Sequence, residues 1–168
     1  LSAIPEVQMG FSDAGAHLRN MAFYNFPLRL LKRANDSGFM SLERAVHRLT
    51  GELAQWYGLD AGTLREGDRA DFVIIDPGAL DGAVDEHHEA PMDVFGGLVR
   101  MVNRNDAAVT ATFVAGNRLF GAGVFEGDFG QRRTGRFLRA GEPRGQVDPL
   151  TQHARRDPVA PPSTAAAG

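Results

Sequence analysis

The run Gly10-Phe11-Ser12-Asp13-Ala14-Gly15-Ala16-His17 sets a carboxylate and an imidazole four residues apart, with a glycine between them that can turn the chain. Val7 to Phe11 reads as a short extended segment, so Asp13 is expected at the end of a strand. A sharp turn at Gly15 would then bring Asp13 and His17 to one pocket. The same residue types have an ordinary structural reading, because an Asp before Ala-Gly commonly makes a turn or caps a helix. One Asp and one His do not define a site. Asp85-Glu86-His87-His88-Glu89 has the residue types of a metal site, but adjacent histidines on a loop rarely reach one ion together, and a solvated loop is favoured. His47, among charged residues on a helix, and His153, near the end of the chain, read as structural or solvent-facing.

Composition narrows the chemistry. The 168 residues contain no cysteine, which excludes disulfides, thiolate metal sites and cysteine nucleophiles within them. Metal chemistry would therefore use His, Asp or Glu. A formal net charge of -3 gives no field that would draw the chain to nucleic acid or to an anionic membrane. No apolar run reaches the roughly 18 residues of a membrane helix. Small-molecule chemistry remains open, and a cytoplasmic location is expected. At 43% hydrophobic and 23% charged the composition is that of an ordinary globular chain. Leu1-Ser2-Ala3-Ile4-Pro5 has no initiator Met and no leader pattern, so the chain is expected to be a fragment whose targeting signals would lie upstream.

The elements that must position these residues follow from periodicity. Pro27 suits the first turn of a helix over Leu28 to Ala34, which Asn35-Asp36-Ser37-Gly38 stops. Ser41 is a good N-cap, and Leu42, Ala45, Val46, Leu49 and Leu53 share one face at helical spacing. Thr50-Gly51 should break that helix, with Thr50 capping a second one that Gly58 ends. Ala70 to Asp76 is a β-rich run closed by Pro77-Gly78, and Val109 to Val114 with Arg118 to Phe120 predicts a hairpin across Gly116-Asn117. Asp81 to Gly97, polar and without a period, reads as a long loop. From Gly141 onward the chain is rich in Pro, Ala and Arg and is expected to be disordered.

Three patterns in order carry a family resemblance. The Gly10 to His17 string is similar to the last-barrel-strand motif of the amidohydrolase superfamily, in particular the N-acyl-D-amino-acid deacylases. Ser41-Leu42-Glu43-Arg44-Ala45-Val46-His47-Arg48-Leu49-Thr50, with Ala54, Gly58 and Leu59, resembles the helical segment that follows that strand. Gly62-Thr63-Leu64-Arg65-Glu66-Gly67-Asp68-Arg69-Ala70-Asp71-Phe72-Val73-Ile74-Ile75-Asp76 resembles the return into that group's small β domain. Phe95-Gly96-Gly97, Val109 to Gly116 and Gly135 to Arg139 look like its C-terminal end, so the resemblance spans roughly residues 7–140.

The resemblance implies an α/β fold: the C-terminal fragment of a metal-dependent hydrolase βα-barrel, joined to part of a small composite β domain. It divides the chain into residues 1–60 from the end of the barrel, 61–140 from the β domain, and a tail over 141–168. It further implies hydrolysis of a linear amide, an N-acyl-D-amino acid giving the D-amino acid and a carboxylate. One or two divalent metals, commonly zinc, would acidify a bound water. Asp13 would touch the metal, take the water's proton and pass it to the leaving nitrogen. His17, and less directly Arg19, would bind the substrate carboxylate. The paired histidines of the first barrel strand and the other ligands are absent from these residues, so the missing N-terminal part of the enzyme would supply them. The chain alone is then expected to be inert and, with apolar sheet and helix faces uncovered, to self-associate. A rival reading is a noncatalytic fragment or structural partner that keeps the fold. Another is a cyclic-amide hydrolase or deaminase of the same superfamily. A His-x-His motif upstream would favour the enzyme, and a true start near Leu1 the structural partner.

Overall fold

The computed structural model describes residues 1–10, 12 and 22–141. A 3-10 turn, Ala22–Asn25, leads into helix α1, Phe26–Ser37. Pro27 lies in its first turn, where a missing N–H removes only a donor that has no helical acceptor. The helix runs three residues beyond Ala34 and stops at Gly38, whose left-handed φ of 62° lets its N–H return to the Ala34 carbonyl.

Helix α2, Leu42–Leu49, starts as its sequence requires: Ser41 is extended and its hydroxyl accepts from the Arg44 N–H at 3.1 Å. Helix α3, Gly51–Tyr57, follows after the break at Thr50 and ends at the left-handed Gly58. Thr50 does not cap α3 with its side chain. Its hydroxyl donates back to the Val46 carbonyl at 2.8 Å, so it finishes α2 instead. The apolar stripe needs two corrections. Val46 is exposed, and Arg48 takes a place in the interior between Ala45 and Leu49.

Leu30, Leu31 and Ala34 of α1 and Ala45 of α2 form the core together with Leu80, Val84 and Ala108 from the β-rich half. Strand β1, Phe72–Ile75, pairs antiparallel with β4, Val109–Val114, which pairs with β5, Asn117–Gly121, and that with β6, Val124–Phe125. The β4–β5 hairpin turns through Ala115-Gly116, and Phe72 stacks on Phe113 at 4.6 Å between ring centroids. Val73 and Ile74, which point to opposite faces of β1, are both exposed.

Two other expectations fail. Asp81 to Gly97 is not a loop: a 3-10 turn, Gly82–Asp85, precedes β2, His88–Met92, which pairs antiparallel with β3, Leu98–Val102. The β2 sequence carries no alternating β-branched signal and contains Pro91, so its strand character comes from the Leu98-to-Val102 partner. Val7 to Gly10, expected in a strand, is irregular, because no strand among the described residues lies beside it to complete a ladder. Of the expected tail, all but Gly141 lies outside the described residues.

Candidate functional site

Asp13, His17 and Arg19 lie outside the described residues. What the structure shows is how the chain on either side of them is held. Upstream, the N–H of Val7 donates to the Ile4 carbonyl at 3.1 Å, and the Val7 carbonyl accepts from the guanidinium of Arg48. Arg48 is fully buried, and its charge is met by Glu52, four residues on in α3, at 2.7 Å. Glu52 also pairs with Arg44 at 2.9 Å. Two buried polar atoms here have no partner: Nε of Arg48 and Oε1 of Gln8. A cleft of about 760 Å³ runs along the same stretch, lined by Val7, Gln8, Met9 and Gly10 and, from the α1 end, by Arg33 and Phe39.

Downstream, the start of α1 is tied to the turn at 83–86. The Asn25 side-chain amide donates to the Val84 carbonyl at 2.6 Å. Asn103 donates to the carbonyls of Val84, at 3.0 Å, and Glu86, and Asn105 donates to that of Ala83 at 3.1 Å. Asp85, at the end of this turn, pairs with Arg29 at 3.1 Å and Lys32 at 3.2 Å, and Lys32 also reaches Asp36 at 3.0 Å. The hydrogen bond from Lys32 chiefly, opposed by desolvation and helped by the charges of Lys32 and Arg29, holds the Asp85 carboxyl below the usual carboxylate range. Asp85 is thus an anionic anchor for α1 and not a proton carrier near neutral pH.

The acidic-histidine run divides between elements. Asp85 ends a 3-10 turn and faces α1, whereas His88 and Glu89 belong to β2. Among the described residues no group of three or more His, Asp or Glu side chains could hold a metal ion. They therefore make no zinc site by themselves. His47 lies exposed on α2, and His153 is outside the described residues. The burial of Arg48 has one signal in the sequence: an arginine three residues after buried Ala45, with Glu52 four residues further on.

The comparisons with known proteins agree with part of the resemblance. Uncharacterized proteins of Mycobacterium tuberculosis and Mycobacterium bovis are 62% identical to the chain over 152 residues, covering 84% of it and 25% of each relative. The chain therefore spans about a quarter of the length of these curated relatives. An N-acyl-D-aspartate deacylase of Alcaligenes xylosoxydans xylosoxydans is 39% identical over 66 residues, 39% of this chain and 13% of that enzyme. No family model matches the chain, and no solved structure matches it. Among the described residues no helix is long and apolar enough to cross a membrane. Part of the chain is thus similar to a deacylase.

Proposed function

We propose that the chain is the C-terminal part of an amidohydrolase that cleaves the linear amide of an N-acyl-D-amino acid, with Asp13 as the group that moves the proton. The observation that carries this reading is the similarity to the N-acyl-D-aspartate deacylase, taken with the ordered motifs from Gly10 to Asp76. In this reading residues 1–60 close a βα-barrel and 61–140 contribute to a small β domain. Asp13, as a carboxylate, accepts a proton from the attacking water and returns it to the departing nitrogen. His17, with Arg19 beside it, holds the carboxylate of the substrate. A zinc, when bound by residues elsewhere in the full-length protein, would supply the acidified water.

The test is Asp13→Asn in the full-length protein, assayed on a panel of N-acetyl-D-amino acids that includes N-acetyl-D-aspartate. The amide keeps the shape of the side chain but cannot take the proton. Turnover should fall by a factor of about 100 to 10,000 with an unchanged unfolding midpoint. A variant within threefold of the parent would show Asp13 to be a turn residue.

A further inference from the structure

We infer that residues 134–141 form a strap: they run from β4 back to the C-terminal end of α3, fasten there through Arg136 and Gly141, and open as a unit without unfolding the sheet or the helices. The inference is independent of the hydrolase reading, and every residue it uses is described.

Thr134, Arg136 and Leu138 are half-buried, whereas Gly135, Phe137 and Arg139 are exposed, the two-residue alternation of an extended chain laid along a surface. The start of the segment lies against the sheet, since a Cβ added at Gly135 would meet the Val114 side chain of β4 at 3.8 Å. Arg136 then pairs with Asp60, 76 residues away and just beyond α3, at 2.9 Å. Its charge also reaches Asp71, so one guanidinium serves carboxylates at the end of the helices and at the start of β1. The far end fastens on the helix itself. The last carbonyls of an α-helix have no partner within it. In α3 those of Ala54 and Gln55 are met locally, by the N–H groups of Leu59 and Gly58. The carbonyls of Tyr57 and Gly58 instead share the N–H of Gly141, at 3.1 and 3.0 Å. The approach is close: a Cβ at Gly58 would lie 2.8 Å from the Gly141 nitrogen. The fastenings are thus a partly exposed ion pair and one shared N–H, and the segment contributes no residue to the buried core, whereas β4 is paired on both sides. A segment held in that way opens at a lower free energy than the sheet beside it.

Two glycines that end helices supply the test. Gly38 has φ of 62° and Gly58 of 65°, so alanine meets similar backbone strain at each, but a Cβ at Gly38 has nothing within 4 Å. Backbone hydrogen exchange is compared in the full-length protein for the parent, Gly38→Ala, Gly58→Ala, Asp60→Asn, Arg136→Gln and the last two combined. In the parent, residues 136–141 should exchange more slowly than an unstructured peptide and faster than the β4–β5 hairpin. Exchange at 136–141 should quicken at least about 10-fold more in Gly58→Ala than in Gly38→Ala, while the hairpin shifts by the same factor in both. Asp60→Asn and Arg136→Gln should each quicken the strap about 1.5-fold to 5-fold, and the double variant little more than Arg136→Gln alone, because one ion pair is lost in every case. Equal exchange over 136–141 in the two alanine variants overturns the proposal. So does additive behaviour of the two charge variants, or a parent strap that is either unprotected or as slow as the hairpin. Should Gly58→Ala not fold, the parent and the charge variants, which leave the backbone unchanged, decide by the same readings.

Discussion

Replacing Asp71 by Asn should destabilise the chain by about 2 kcal/mol, and the effect should disappear in acid. Asp71 stands immediately before β1 and works across the sheet. Its Oδ1 accepts from the Ala115 N–H at 2.6 Å, and its Oδ2 accepts from the Arg69 Nε at 2.9 Å. Next to it the Ala70 carbonyl accepts from the Gly116 N–H at 2.9 Å, so the Ala70-Asp71 pair grips the β4–β5 turn. Ala115 in that turn has φ of 50°, a left-handed conformation that costs an alanine about 1 kcal/mol and persists because its N–H is held. Burial alone would push the Asp71 carboxyl up, but the Ala115 N–H and the hydrogen bond and charge of Arg69, with Arg136, together bring it below the ordinary 3.8. A depressed folded-state value means that the contribution is complete above the unfolded value and is lost as pH falls through the lower folded one. Asn keeps an oxygen for Ala115 but turns an N–H toward Arg69 and loses the charge. A charge-assisted hydrogen bond is worth roughly 1.5 to 3 kcal/mol, and partial exposure argues for the lower half of that range. For a chain of this size about 2 kcal/mol lowers the melting temperature by roughly 4 to 8 °C. Urea unfolding of both proteins between neutral pH and about pH 3 would measure it, the two curves converging in acid. A variant within about 0.5 kcal/mol of the parent at neutral pH, with the same pH profile, would refute the reasoning.

Other substitutions probe the packing and the proposed site. Gly62→Ala should cost about 2 to 4 kcal/mol, since Gly62 has φ of 81° and an added Cβ would lie 2.9 Å from the Gly51 Cα, the Ala54 Cβ and the Thr50 carbonyl oxygen. Equal denaturation midpoints would show that the α2–α3 break has room to move. Val84→Ala removes two methyls from a fully buried side chain and should cost about 2 to 3 kcal/mol in the same measurement. It should also quicken exchange at the start of α1, which the Val84 carbonyl anchors through Asn25. His17→Ala in the full-length protein should lower kcat/KM on N-acetyl-D-amino acids about 10-fold to 150-fold, chiefly through KM. The corresponding carboxamides should lose much less. Equal losses on acid and carboxamide would remove His17 from carboxylate binding.

Local signals that act within a few residues were legible without the fold. Ser41, Gly38 and Gly58 bound their helices, and the hairpin turn expected at Gly116-Asn117 falls one residue earlier, at Ala115-Gly116 between β4 and β5, because a cap or a positive-φ glycine acts on its own neighbours. Elements whose character comes from a distant partner were misread. β2 is a strand because β3 pairs with it, while Val7–Gly10 has the composition of a strand and no described neighbour to make it one. Residues that look chemical divided in the same way. Asp85, beside two histidines in sequence, is drawn off by Lys32 and Arg29 of α1, and Asp71, within a family-like motif, holds a hairpin turn.

The sequence by itself determined the Ser41 cap, the stops at Gly38 and Gly58, the β4–β5 hairpin, the absence of cysteine chemistry and the deacylase-like motifs, since each is a matter of residue type and short spacing. Only the tertiary structure decided that Arg48 is buried while Val46 is exposed, and that Leu80, Val84 and Ala108 complete the core of the helices. A helical stripe about 100° wide says which residues share a face, but not which of them meets a carbonyl 41 residues away. Burial of a charge is settled by the partners that three dimensions bring to it, here Glu52 and the Val7 carbonyl.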